Sequence, residues 1–168
     1  MKKIVKKYLK IKSRFYKIVL SDAKSVTGDP LINQPTLFLG KGKINLNSEV
    51  VLGYFPSPSF YSGYIHIEAR DEKSEITIGD ECLIGHCVEI LSSDFHNIEP
   101  EHRRGSKKQH ISRDVIIGKN VWIGNSVKIL KGVNIDDNSI IAAGSVVVKN
   151  VSANTIVAGN PAKEVKKI

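Results

Sequence analysis

The chain has 168 residues, 41% hydrophobic and 25% charged, with a formal net charge of +8. That composition fits one globular domain with a sizeable core, and no apolar run reaches the ~18 residues that a membrane-spanning helix needs. Residues 1–21 hold eight basic residues and no acid, leaving 17 basic and 17 acidic residues elsewhere, so a diffuse nucleic-acid-binding surface is not expected.

The start, MKKIVKKYLKIKSR, is basic like a signal peptide's n-region, but no adequate apolar h-region or cleavage site follows, and a cytoplasmic protein is expected. Ile4, Tyr8, Ile11, Phe15 and Ile18 follow a 4-3-4-3 spacing that predicts one apolar helix face with lysines opposite. This arm, residues 1–20, reads either as a helix packed on the body or as a contact for anionic lipid or polymer at the inner face of the membrane. Residues 21–36 (SDAKSVTGDPLINQPT) are rich in turn formers and read as a connector, so 1–36 form one unit.

Residues 37–158 form the main body, and their signature is a period of six. From residue 117 the first positions are Ile117, Ile123, Ile129, Ile135, Ile141 and Val147. The fifth positions (Val121, Val127, Val133, Ser139, Ser145) are small or β-branched, and the fourth (Asn120, Ser126, Gly132, Asn138, Gly144) are rich in residues that tolerate positive φ. Upstream, Ile78, Ile84 and Ile90 take first positions and Cys82 and Val88 fifth ones, with weaker echoes at Leu46 and Leu52; residues 53–75 do not keep the register. The pattern predicts an all-β coil of short strands with tight corners, three units to a turn of about 18 residues, stacked through parallel pairing. Cys82 and Cys87 form no CxxC pair and read as reduced structural thiols.

Between Ile90 and Ile117 the polar stretch SSDFHNIEPEHRRGSKKQHISRD breaks the register, and residues 94–114 are predicted to leave the coil as a protruding loop. It carries His96, His102 and His110, and loops on rigid scaffolds commonly hold reactive groups. Imidazole is the side chain suited to take a proton near neutral pH. Arg103 and Arg104 read either as a recognition pair for an anionic acceptor or as a solvated face. Trp122, the single tryptophan, takes an outward place in its repeat unit, which points to contact with a ligand or a neighbouring subunit. The segment 159–168 reads as a basic tail.

The stretches IGDECLIGHCVEI, VIIGKNVWIGNSVKILKGVNI and AAGSVVVKNV…VAGNPAK resemble the hexapeptide-repeat acyltransferases, most closely the galactoside, maltose and capsular-sugar O-acetyltransferases. The resemblance covers roughly residues 76–168. It implies a left-handed parallel β-helix, a handedness the spacing does not show, and a homotrimer with active sites between subunits. It implies acetyl transfer from acetyl-CoA to a hydroxyl of a sugar or surface polysaccharide, with His96 as general base and Asp94 orienting its ring or binding the sugar. Trp122 would stand beside acceptor and thioester, with Arg103 and Arg104 toward the acceptor. Gly124, Ala142, Ala143 and Gly144 would allow close approach of the pantetheine arm, and Lys149, Lys163 and Lys166 would meet the phosphates. Amino-sugar N-acetylation and antibiotic acetylation use the same scaffold. A non-catalytic binding protein is a further alternative. So is a zinc enzyme resembling the γ-type carbonic anhydrases, although the spacing of His66 and His86 does not fit a whole turn, and no metal is expected.

Overall fold

The computed structural model describes residues 19–21, 23, 25–53, 63–104 and 111–168. The helical face expected from Ile4 to Ile18, together with Lys107, Lys108 and His110, lies outside the described residues.

Among the described residues, eighteen short strands wind into a three-sided parallel β-helix. The six-stranded side runs β1 (Val19–Ser21), β4 (Thr36–Leu39), β7 (Ile65–Glu68), β10 (Glu89–Leu91), β13 (Lys128–Ile129), β16 (Val146–Val147). The five-stranded side runs β2 (Ser25–Thr27), β5 (Lys43–Leu46), β8 (Glu75–Ile78), β11 (Val115–Ile117), β14 (Asn134–Ile135). The seven-stranded side runs β3 (Leu31–Ile32), β6 (Val51–Leu52), β9 (Leu83–Ile84), β12 (Trp122–Ile123), β15 (Ile140–Ile141), β17 (Thr155–Gly159), β18 (Ala162–Lys167).

The period of six is the period of the sides. Ile117 pairs with Ile135, Ile123 with Ile141 and Ile129 with Val147, each three repeat units further along the chain. Each first position therefore stacks on the equivalent one a turn away, and all of them are buried, as are the fifth positions from Cys82 to Ser145. The columns interlock: Ile32, Leu52, Ile84, Ile123, Ile141 and Val157 run up the inside of the seven-stranded side. Burying a polar group requires a partner. Ser139 Oγ donates to Ser152 O at 2.9 Å, and Ser145 Oγ accepts the Gly159 N–H at 3.1 Å.

The corners turn on the fourth positions. Asn120, Ser126, Gly132, Asn138 and Gly144 all have positive φ, as do Glu81 and Cys87 in the equivalent upstream places. At one corner the strain is shared by a ladder in which Asn120 Nδ2 donates to Asn138 Oδ1 (3.0 Å) and Asn138 Nδ2 to Asn154 Oδ1 (3.2 Å).

The boundaries differ from those the sequence suggests. The coil starts before residue 37: β1, β2 and β3 occupy the stretch expected to be arm and connector, because backbone pairing with the next turn holds short strands even among turn-forming residues. Stacking also persists where the hexad count fails, since Ile32 pairs with Leu52, Ile67 with Ile90 and Ile44 with Ile76 across separations longer than three repeat units. At the other end, the expected tail is strand β18, which pairs antiparallel with β17 and covers the sheet edge that the last coil would leave open.

Candidate active site

The loop leaves the coil at the corner between β10 and β11, and its neck is clamped. Ser93 and Ser112 bridge antiparallel, the Arg113 N–H donates to Ser92 O at 2.8 Å, and the Asp94 N–H donates to Ile111 O at 3.3 Å. Ser112 Oγ donates to the Asp71 carboxylate and Ser92 Oγ to Ser74 Oγ, tying the neck to the turn after β7. His96 is exposed, two positions past Asp94. Asp94 turns its carboxylate to Lys131 Nζ at 2.5 Å, and its other oxygen is buried. The Arg70 guanidinium lies over the Phe95 ring, 4.4 Å from its centroid. Further out, a 3-10 turn at Pro100–His102 shapes the loop, with Asn97 Nδ2 donating to His102 O (3.0 Å) and Arg103 to Ile98 O (2.9 Å). Arg103 thus supports the loop's own backbone, while Arg104 faces solvent.

A groove of about 550 Å³ lies on the outer face of the seven-stranded side. Its wall is the stacked trio Leu83, Trp122 and Ile140, in register on adjacent strands. Trp122 is 53% exposed. The floor is nearly bare backbone at Gly85, Gly124, Ala142 and Ala143. Gly124 has a stacking reason besides any ligand: a Cβ there would lie 2.6 Å from Ala143 N. Gly85 meets Asn125 in the same way. His86 and Asn125 are the polar side chains of the lining, and Asn125 Oδ1 accepts the backbone N–H of His86 at 3.0 Å. Burial holds the His86 imidazole below its ordinary pKa, favouring the neutral ring.

Gly144 sits at a corner with φ +74° and does not line this groove. Lys149 and Lys163 come together in a second cleft of about 310 Å³ between the last coil and the β17–β18 hairpin, with Ser152, Thr155 and Pro161. Lys166 pairs with Ile156 on the hairpin, outside that lining. Among the described residues, no group of three His, Cys, Asp or Glu side chains is placed to hold a metal ion.

Residues 114–149 match the family model described as bacterial transferase hexapeptide (six repeats). The chain is 42% identical over 93 residues to the galactoside O-acetyltransferase of Escherichia coli K12, taking in 55% of this chain and 44% of that one. It is 31% identical over 135 residues to a chloramphenicol acetyltransferase of Escherichia coli, 65% and 64% of the two chains. The solved structure of a galactoside acetyltransferase in complex with coenzyme A matches with a TM-score of 0.60 at 25% identity, over 87% of this chain and 66% of that one. Residues 114–149 thus carry the family's repeat, and the chain is similar in sequence and fold to hexapeptide-repeat acetyltransferases. Its coil is a left-handed parallel β-helix, the fold of the hexapeptide-repeat acetyltransferases it matches. It spans less than two thirds of the length of these curated relatives.

Of the residues singled out from the sequence, Trp122, Gly124, Ala142 and Ala143 come together in one groove and Lys149 and Lys163 in one cleft. The outward lining residues Leu83, Gly85, His86, Asn125 and Ile140 are not among those singled out from the sequence. A signal existed: Gly85–His86, Gly124–Asn125 and Ala142–Ala143 occupy the same second and third positions of units stacked on one another.

Proposed function

We propose that this chain is an acetyl-CoA-dependent O-acetyltransferase acting on a sugar hydroxyl, with His96 as general base and direct transfer within a ternary complex. The observation that carries this reading is the groove: apolar walls capped by an exposed indole, over a floor of small residues, suit the thin pantetheine arm of acetyl-CoA. The similarity to a galactoside acetyltransferase that binds coenzyme A supports it. Lys149 and Lys163 supply charge for phosphates at the cleft beyond, without the bidentate fork that arginine would offer.

Within one chain, His96 leaves from the corner between the six- and five-stranded sides, while the groove lies on the seven-stranded side. The site is therefore completed by a second copy, in a homotrimer whose loop places His96 against a neighbour's groove. His96 takes the proton of the acceptor hydroxyl as its oxygen bonds to the thioester carbonyl carbon. The carbon–sulfur bond then breaks, and the same proton goes to the departing sulfur. The products are an acetyl ester and free coenzyme A. We place this chemistry in the cytoplasm, with the basic arm near the inner membrane face as the contact for a lipid-linked or polymeric acceptor. The 135-residue match to a chloramphenicol acetyltransferase favours a second reading, the same transfer to an antibiotic hydroxyl.

The test is thiol release from acetyl-CoA with a panel of sugars and with chloramphenicol. With the preferred acceptor, His96→Ala should lose about a hundredfold or more in kcat, the usual worth of a general base, and bind acetyl-CoA as before. Full turnover in that variant would overturn the assignment.

A further inference from the structure

The two residues before His96 are gripped from opposite directions along the helix axis. Below, Arg70 follows β7; it places its guanidinium on the Phe95 ring at 4.4 Å. Arg70 is itself fixed, since its Nη2 lies 2.9 Å from Glu68 Oε1, and Glu68 has only 12% of its side chain exposed. The Arg70 N–H also donates to Ser92 Oγ at 3.1 Å, at the loop's neck. Above, Lys131 follows β13 and reaches Asp94 Oδ1 at 2.5 Å. None of these contacts is needed to close the coil, whose pairing and core are complete without them. An arginine held by a largely buried carboxylate and placed over an aromatic ring is a directional contact that restricts the ring's rotamers.

We infer that Arg70, braced by Glu68, is a positioning residue that acts through Phe95 to set the direction in which His96 is presented, with the Lys131–Asp94 pair fixing the other side. The inference rests on the reading of His96 as the base. Proton transfer is sensitive to displacement on the ångström scale, whereas cofactor binding in a groove elsewhere on the coil is not.

The experiment is a double-variant cycle on the full chain, with thiol release and acetyl-CoA binding as readouts. Arg70→Met should lower kcat about tenfold to a hundredfold with the KM for acetyl-CoA unchanged. Phe95→Leu, which breaks the stack from the loop side and leaves the Glu68–Arg70 pair intact, should do the same, while Phe95→Tyr should keep most of the rate. In a His96→Ala background, Arg70→Met should cost nothing further. Losses that multiply in the double variant, or a raised KM with unchanged kcat, would overturn the positioning role alone. Full turnover in His96→Ala by itself would overturn both this inference and the functional reading.

Discussion

Gly124 and Gly144 need to be glycine for opposite reasons, and their alanine variants separate clash from strain. At Gly124 an added Cβ would sit 2.6 Å from the backbone of the coil above, whereas at Gly144 nothing lies within 4 Å but φ is +74°. Gly124→Ala should cost about 1–3 kcal/mol through overpacking and also disturb the groove floor. Gly144→Ala should cost about 1–2 kcal/mol through backbone strain and leave acetyl-CoA affinity unchanged. Calorimetric melting alongside ligand titration reads both. Cys82 offers a pH signature. Burial pushes its thiol up to about 11, from an ordinary 9.0, and Sγ donates to Gly118 O at 3.0 Å. The native state holds this proton while the unfolded chain releases it, so the contribution is fully present below pH 9.0 and is lost as pH rises to about 11. Cys82→Ala should therefore flatten the fall of melting temperature across that window. The intact native protein should resist alkylation at Cys82 in mildly alkaline buffer; rapid native labelling would contradict the buried placement.

At the scale of the strand and its corner, the asparagine ladder makes a counterintuitive prediction. Asn138 has φ +60°, accepts from Asn120 and donates to Asn154. Asn138→Ala should cost about 1–2 kcal/mol because alanine pays the left-handed strain in full. Asn138→Gly should cost less, although glycine is ordinarily the more destabilising of the two, and chemical denaturation of the pair would show the order. The corners also explain what could be read from sequence. Ile117 to Val147 repeat in identical surroundings, so each residue repeats its neighbour's burial and the period is plain. Ile44 and Ile76 share the same stack, yet their separation is not a multiple of six, so the hexad count cannot connect them. The strand at Ala162–Lys167 gave no signal because it pairs through its backbone while its side chains stay largely exposed, leaving a lysine-rich stretch that reads as tail. Within the loop, the resemblance alone singles out His96 as the candidate base. Glu68, Arg70 and Lys131 could not be tied to it, since their proximity arises only from the winding of separate coils.

Among the described residues, the loop that carries His96 and the groove beside Trp122 lie on different sides of one coil. The outward column of the seven-stranded side, Leu31, Val51, Leu83, Trp122, Ile140 and Ile156, is apolar throughout. On the six-stranded side the corresponding places include His66, Glu89 and Lys128. Only the first of these faces gains by meeting another apolar surface, and meeting a second copy there is what would bring a loop to the groove. The most direct test combines two variants that should each cripple turnover from a different side of the proposed site: His96→Ala, which removes the proposed base, and Ala143→Trp, which fills the groove. Co-expressed and assembled at random in equal amounts, they should regain about a quarter of the wild-type sites, because one copy supplies the intact histidine and its neighbour the intact groove. A mixture as inactive as either variant alone would contradict an active site shared between subunits.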